Sequence, residues 1–99
     1  MAPFEVNRSH EGTTLVVRGS LDINSAPVLA EEIDKIVATR PTKVLVDLAT
    51  LDLIDSSGVA ALVKLFKGVG GRAVMTIVGA RDQPLAILRL LRMDKVFGL

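Results

Sequence analysis

The chain has 99 residues and a formal net charge of +1, and hydrophobic residues make up 49% of it. That length and composition predict one domain whose core needs neither metal ions nor disulfides for stability. Cysteine is absent, which excludes a disulfide framework, thiolate catalysis and cysteine-ligated metals, and which fits a reducing cytoplasm.

Two further classes of protein are disfavoured by composition. No apolar run approaches the ~20 residues that a membrane span needs, and residues 1–5 lack the basic and apolar segments of a signal peptide. We therefore expect a cytoplasmic protein without membrane insertion. Residues 51–99 carry a net charge of +3, but their basic side chains stand singly among apolar ones, and the chain has no Tyr or Trp on which bases could stack. We expect no direct contact with nucleic acid.

The N-terminal residues predict a hairpin. Residues 4–8 alternate between apolar and polar, and residues 14–18 form a second strand-like run after a turn at residues 9–12. The two runs therefore predict antiparallel strands. Residues 19–24 are predicted as a loop.

A helix is predicted to follow this loop. Asn24 or Ser25 can cap it, Pro27 falls in its first turn, where a missing N–H does no harm, and Pro41 ends it. Its apolar spacing predicts a buried face made of four residues: Leu29, Ile33, Ile36 and Val37.

The second half of the chain alternates strands with helices. Residues 43–48 have a continuously apolar centre, typical of a strand that lies centrally in a sheet or is covered on both faces. A helix over residues 56–68 follows, whose apolar spacing predicts a buried face made of Val59, Leu62, Val63 and Phe66. Another buried strand over 73–78 and a last helix capped by Asp82 come next, and Val96 and Phe97 can begin a closing strand. This order predicts an α/β (α+β) fold, in which an N-terminal hairpin and βαβ units form a mixed sheet with helices packed on it.

The sequence Asp55-Ser56-Ser57-Gly58 joins a short apolar segment to a predicted helix. A serine at a helix start lies beside free backbone N–H groups and the positive end of the dipole, a position that suits a phosphate. The same residues could instead form only a helix cap, because Asp and Ser are favoured caps. Gly58 argues against the cap alone, since glycine in a first turn costs about 0.5–1 kcal/mol relative to alanine. We therefore expect something to approach its backbone closely.

Catalytic interpretations of the polar residues are weak. Ser56, His10 and Asp22 have the residue types of a hydrolase triad, but His10 lies in the predicted hairpin turn. Residues 54–58 also lack the leading glycine of a nucleophile elbow. Residues 68–71 lack the Gly-Lys-Ser/Thr end of a phosphate-binding loop. We predict no catalytic residue, no metal and no cofactor.

Three segments carry a resemblance to a known family: Gly19-Ser20-Leu21-Asp22, Val44-Leu45-Val46-Asp47-Leu48 and Ile54-Asp55-Ser56-Ser57-Gly58. Together they resemble the STAS domain and, more closely, bacterial anti-sigma-factor antagonists. The resemblance implies that residues 1–99 form a single STAS domain, one that ends before the family's usual C-terminal helix. It also implies phosphorylation of Ser56 by a partner kinase, and it places Asp22 near that serine. From its residue type alone, Asp22 could equally be an ordinary turn aspartate.

The function implied by the resemblance is regulatory binding. The unphosphorylated protein would bind a serine kinase that doubles as an anti-sigma factor, and would so free a sigma factor for transcription; a phosphatase would reset the switch. A second possibility is a STAS scaffold subunit of a lipid-transport ATPase complex or a signalling assembly, without phosphorylation. We expect the partner to contact nine residues: Asp22, Asn24, Ser25, Asp55, Ser56, Ser57, Gly58, Ala60 and Lys64.

Overall fold

The computed structural model describes residues 3–99, which form six strands and four helices. The strands are β1 Phe4–Ser9, β2 Gly12–Val17, β3 Gly19–Leu21, β4 Lys43–Asp47, β5 Leu51–Ile54 and β6 Val74–Val78. The helices are α1 Ala26–Ala38, α2 Ser56–Val69, α3 Asp82–Leu90 and the short α4 Met93–Val96, and a single 3-10 turn covers Gly70–Arg72.

Four strands form the main sheet in the order β1-β2-β4-β6. Strand β1 is antiparallel to β2, whereas β2, β4 and β6 run parallel to one another. The predicted hairpin and the mixed sheet are thus confirmed. Because α1 connects β2 to β4 and α2 connects β4 to β6, the parallel neighbours are joined by helical crossovers.

The remaining two strands form a second, small sheet. Strand β3 pairs in parallel with β5, with Ser20 opposite Leu53 and Leu21 opposite Ile54. The prediction of a loop over residues 19–24 was therefore wrong for its first three residues. A three-residue strand is too short to show a period of two, and only its distant partner gives it an extended conformation. The pairing brings the carboxyl ends of β3 and β5 side by side.

Helices α1 and α2 pack on one face of the main sheet and bury its core. Helix α1 contributes the face that the sequence predicts, in which Val37 is partly buried and three residues are fully buried: Leu29, Ile33 and Ile36. The predicted buried face of α2 is confirmed at Val59 and Leu62. Phe66, predicted on that face, is 39% exposed.

The other face of the main sheet is open to solvent. Leu45 in β4 is 38% exposed and Val74 in β6 is 66% exposed. Their neighbours in the same strands point to the core and are buried: Val44, Val46, Met75 and Ile77. Strand β4 lies between β2 and β6 and is central, as predicted, whereas β6, predicted as a buried strand, is buried only on its core-facing side. Its apolar run reflects an edge strand with one apolar, solvent-facing side.

Two predicted helix caps differ in the structure. Ser25 holds the cap position of α1 without a capping hydrogen bond, and Asp22 instead accepts from the N–H groups of Asn24 (2.9 Å) and Ser25 (3.2 Å). Asp82 does not cap α3: its carboxylate pairs with Arg81 at 2.7 Å, and its φ is +52°. Each of the two predicted capping side chains interacts with a neighbouring group instead of the helix N–H groups: the Ser25 hydroxyl bonds to the backbone of its own loop, and the Asp82 carboxylate pairs with Arg81.

The C-terminal residues form no strand. Val96 ends the short helix α4, and the following Phe97 is 1% exposed and meets the ring of Phe66 edge-on, with the centroids 5.7 Å apart. The Phe97 carbonyl accepts a hydrogen bond from the Ile77 N–H (3.2 Å) on the outer edge of β6. The prediction of a closing strand was therefore wrong, although this segment does cover part of that edge.

Candidate functional site

At the start of helix α2, different residues occupy the two positions that the sequence leaves open, the helix cap and the candidate phosphorylation site. Asp55, in an extended conformation, is the N-cap, and its carboxylate accepts a hydrogen bond from the Gly58 N–H at 3.1 Å. Ser56 is the first helical residue and is exposed, whereas Ser57 is half-buried. Because Asp55 supplies the cap, the hydroxyl of Ser56 is not needed for that purpose.

Gly58 is buried against the protein's own small sheet. A Cβ at this position would lie 2.7 Å from the Leu21 carbonyl oxygen and 2.7 Å from Cγ1 of Ile54. The predicted close approach to its backbone is thus present, but the neighbour is strand β3. Gly58 is buried in this contact, and its place on the partner-contact surface stays a prediction.

The loop after β3 lies next to the start of α2. Leu21 and Ile54 are opposite each other in the small sheet, so Asp22 and Asp55 follow two neighbouring strand ends. The Asp55 N–H donates to the Leu21 carbonyl at 3.1 Å, which links the two segments directly. Asp22 itself acts as a turn aspartate, and its effect on Ser56 stays a prediction.

Ser25 is engaged within its own loop. Its hydroxyl accepts from the Asp22 N–H (3.0 Å) and donates to the Ser20 carbonyl (2.9 Å). Asn24, one residue earlier, has an exposed side chain. Of the predicted contact residues in this loop, Asn24 is therefore presented to solvent, and Ser25 holds the loop in shape.

A shallow apolar groove of about 390 Å³ lies between α1 and α2, beside this loop. It is lined by Ile23, Ala26, Pro27, Ala30, Ser57, Ala60, Ala61 and Lys64. Small side chains on both helices leave the groove open, and Lys64 pairs with Asp34 across the two helices at 3.0 Å. The groove brings three of the predicted contact residues, Ser57, Ala60 and Lys64, onto one surface with the loop.

Ile23 is the principal groove residue that the sequence interpretation misses. Its side chain is 71% exposed, in a loop between two polar residues, Asp22 and Asn24. An isoleucine in such a polar turn has no place in a helical or strand period, and that misfit is the signal that could have identified it.

The residue types of a hydrolase triad do not come together. His10 lies in the turn that precedes β2, whereas Asp22 and Ser56 follow the carboxyl ends of β3 and β5. Among residues 3–99, no helix is both long and apolar enough to cross a bilayer.

Comparison with known families identifies the class of protein. The family model described as "Mlab, STAS domain" matches residues 4–99. The chain therefore belongs to the STAS family, in agreement with the resemblance of its sequence motifs.

Individual relatives agree with this family. The chain is 26% identical to the anti-sigma-F factor antagonist RsfB of Mycobacterium tuberculosis over 91 residues, which cover 91% of this chain and 75% of RsfB. Its fold matches the crystal structure of an anti-sigma factor antagonist from Mycobacterium paratuberculosis with a TM-score of 0.88 and 23% identity, over 95% of this chain and 80% of that one. It also matches SpoIIAA in its unphosphorylated form, with a TM-score of 0.72 and 15% identity, over 97% and 99% of the two chains. A phosphorylated SpoIIAA from Bacillus matches with a TM-score of 0.68 and 16% identity, over 96% and 85% of the two chains.

Proposed function

We propose that this protein is an anti-sigma-factor antagonist, which binds an anti-sigma factor in the cytoplasm and thereby frees a sigma factor for transcription. Its family membership and its likeness to RsfB, which bears that name, support this proposal. The observation that carries it furthest is the exposed Ser56 at the start of α2, beside a groove that a partner can occupy. The protein acts by binding and contributes no catalytic residue.

Binding is controlled by phosphorylation of Ser56. A phosphate there adds about −1.5 to −2 charges, and the N-terminus of α2 tolerates it because free N–H groups and the helix dipole favour negative charge. The fold of the antagonist is therefore preserved, while the same charge enters the contact with the partner. Converting a complex from mostly bound to mostly free takes about 5.5 kcal/mol of differential affinity. Bulk and desolvation of a doubly charged group inside an interface can supply that amount.

The partner is a serine kinase that is itself the anti-sigma factor, and a phosphatase restores the unmodified form. That SpoIIAA, a protein of the same fold, has been solved both unphosphorylated and phosphorylated supports a switch of this kind. The scaffold alternative is not favoured, because the curated relatives are named as antagonists. A scaffold subunit would use the same groove without needing Ser56.

Phosphopeptide mapping tests the proposal. The purified protein is incubated with the kinase encoded nearest to its gene and with ATP, and the modified peptide is sequenced by mass spectrometry. We expect one phosphate, on Ser56. A phosphate found only on Ser57, or on neither serine, would contradict the assignment, and a Ser56→Ala variant that is still modified would do the same.

A further inference from the structure

The side chain of Gln83, in the first turn of α3, contacts the backbone directly before the Asp55-Ser56 sequence. Its Oε1 accepts from the Ile54 N–H at 2.9 Å, and its Nε2 donates to the Ile54 carbonyl at 2.8 Å. The amide thus forms both hydrogen bonds that a neighbouring strand would form with this residue. Strand β3 pairs with one edge of β5, and the Gln83 amide bonds to the other edge, where a further strand would otherwise pair.

This contact holds the last residue of β5 from one side, while β3 holds the chain from the other. Ile54 is 3% exposed, and the next residue, Asp55, donates its N–H to Leu21 on β3. Hydrogen bonds on both edges of β5 therefore fix the direction in which the chain leaves this strand. Asp55 can cap α2 at Gly58, and Ser56 can begin the helix, only if the chain leaves in that direction.

We infer that Gln83 is the positioning residue of the phosphorylation site, which fixes the start of α2 and the place of the Ser56 hydroxyl through the backbone of Ile54. The inference rests on the proposed phosphorylation of Ser56. It also couples α3 to the switch, because α3 carries the amide on which the start of α2 depends. Without that amide, the buried N–H and carbonyl of Ile54 lose their partners, and the segment moves to recover hydrogen bonds.

Arg81 provides a matched control at the same end of α3. Its Nε donates to the Ala49 carbonyl at 3.0 Å, and it pairs with Asp52 at 3.6 Å, so it holds the connection between β4 and β5. Substitutions of Arg81 and Gln83 therefore distinguish a general loosening of α3 from the specific loss of the contact with Ile54. Loss of Arg81 loosens α3 without removing a partner from the start of α2.

The experiment compares Gln83→Met, which keeps the length of the side chain but removes the amide, with Arg81→Ala. Amide hydrogen exchange is measured by NMR, together with the kinetics of Ser56 phosphorylation. We expect exchange at Gly58, which Gln83 does not touch, to rise at least about tenfold in Gln83→Met and to stay near wild type in Arg81→Ala. We expect kcat for phosphorylation to fall at least about tenfold in Gln83→Met with a smaller change in KM, because the hydroxyl is misplaced while the α1 side of the groove, which Gln83 does not line, still binds the kinase.

Unchanged exchange at Gly58 in Gln83→Met would overturn the inference, and so would equal effects of the two substitutions. If the wild-type protein is not phosphorylated on Ser56, the proposed function fails, and the exchange result alone decides whether Gln83 positions the start of α2. If Gln83→Met does not fold, Gln83→Glu serves instead, since its carboxylate still accepts from the Ile54 N–H but cannot donate to the carbonyl. A rise in Gly58 exchange above that of wild type then supports the inference, and no rise overturns it.

Discussion

At the level of single residues, the start of α2 shows how adjacent positions carry different tasks. The Asp55 carboxylate accepts a hydrogen bond from the Gly58 N–H, Ser56 faces solvent, and Gly58 lies against the Leu21 carbonyl. A capping aspartate contributes about 1 kcal/mol to stability, so replacement of Ser56 leaves the helix start largely intact. Effects of Ser56 substitutions on binding therefore report the contact itself.

The first prediction concerns Gly58. Gly58→Ala should lower the free energy of unfolding by about 1–3 kcal/mol, because the added Cβ would press on a backbone carbonyl that cannot rotate away. Alanine's higher helix propensity, worth about 1 kcal/mol, opposes this loss but does not remove it. Urea denaturation measures the change.

Gly71→Ala is the control for this substitution, because nothing lies within 4 Å of a Cβ at Gly71. Its stability should stay close to that of the wild type. A Gly58→Ala variant that is as stable as wild type would show that β3 does not lie as close to α2 as the structure indicates.

At the level of elements, the sequence predicts the long and regular ones and misses the short ones. The alternation in the N-terminal hairpin and the helical period of α1 are confirmed, because each is a local property with many repeats. Strand β3 and helix α4 have too few residues to show a period. Their conformations depend on partners: β5 for β3, and the pocket that receives Phe97 for the segment after α4.

The second prediction tests the role of this C-terminal segment. Phe97→Ala should lower the free energy of unfolding by about 3–5 kcal/mol, since it removes a buried ring and its contact with Phe66. Thermal and urea unfolding measure the loss. Leu90→Ala is the control, because Leu90 is 76% exposed and its truncation should change stability by less than about 0.5 kcal/mol. Equal effects would mean that the segment after α4 does not pack on the core.

The third prediction concerns the groove between α1 and α2. Ile23→Lys should weaken binding of the anti-sigma factor at least about tenfold, because it removes an exposed apolar anchor and places a charge at the edge of the groove. Its effect on stability should be small, since the Ile23 side chain is 71% exposed. Isothermal titration calorimetry with the purified partner measures the affinity.

Lys35→Glu is the control for the groove. Lys35 is exposed on α1, pairs with Glu32 at 3.3 Å and does not line the groove. Its reversal should leave the affinity within about twofold of wild type, because screening weakens charges beyond ~8–10 Å. If Lys35→Glu weakened binding and Ile23→Lys did not, the partner would dock on another surface.

At the level of the whole molecule, one end of the fold collects the elements of the proposed switch. The carboxyl ends of β3 and β5, the start of α2, the first turn of α3 and the groove beside α1 meet there, whereas the hairpin turn with His10 does not take part. A charge added at Ser56 therefore enters the surface that a partner of this end must contact. Under the proposed function, this arrangement would make binding sensitive to phosphorylation of Ser56 alone.

The fourth prediction follows from this placement. Ser56→Ala should bind the kinase as tightly as the unmodified protein and stay active after incubation with kinase and ATP, whereas Ser56→Asp should bind at least about tenfold more weakly. Surface plasmon resonance against immobilised kinase compares the two. Since both variants keep the Asp55 cap, their stabilities should differ by no more than about 1 kcal/mol. Equal affinities would favour the scaffold alternative.

The sequence by itself determined the α+β class, the hairpin, the two long helices and the place of Ser56 at a helix start. These features follow from hydrophobic periods and capping residues that can be recognised within a few neighbouring positions. The resemblance to the STAS domain then indicated one known fold for all of them. Only the tertiary structure decided that β3 pairs with β5, that Leu21 is the close neighbour of Gly58, that Ile23 borders a groove and that Gln83 holds Ile54. Each of these contacts joins residues that are far apart in the chain. Such contacts arise from the packing of the whole fold, so no local sequence pattern predicts them.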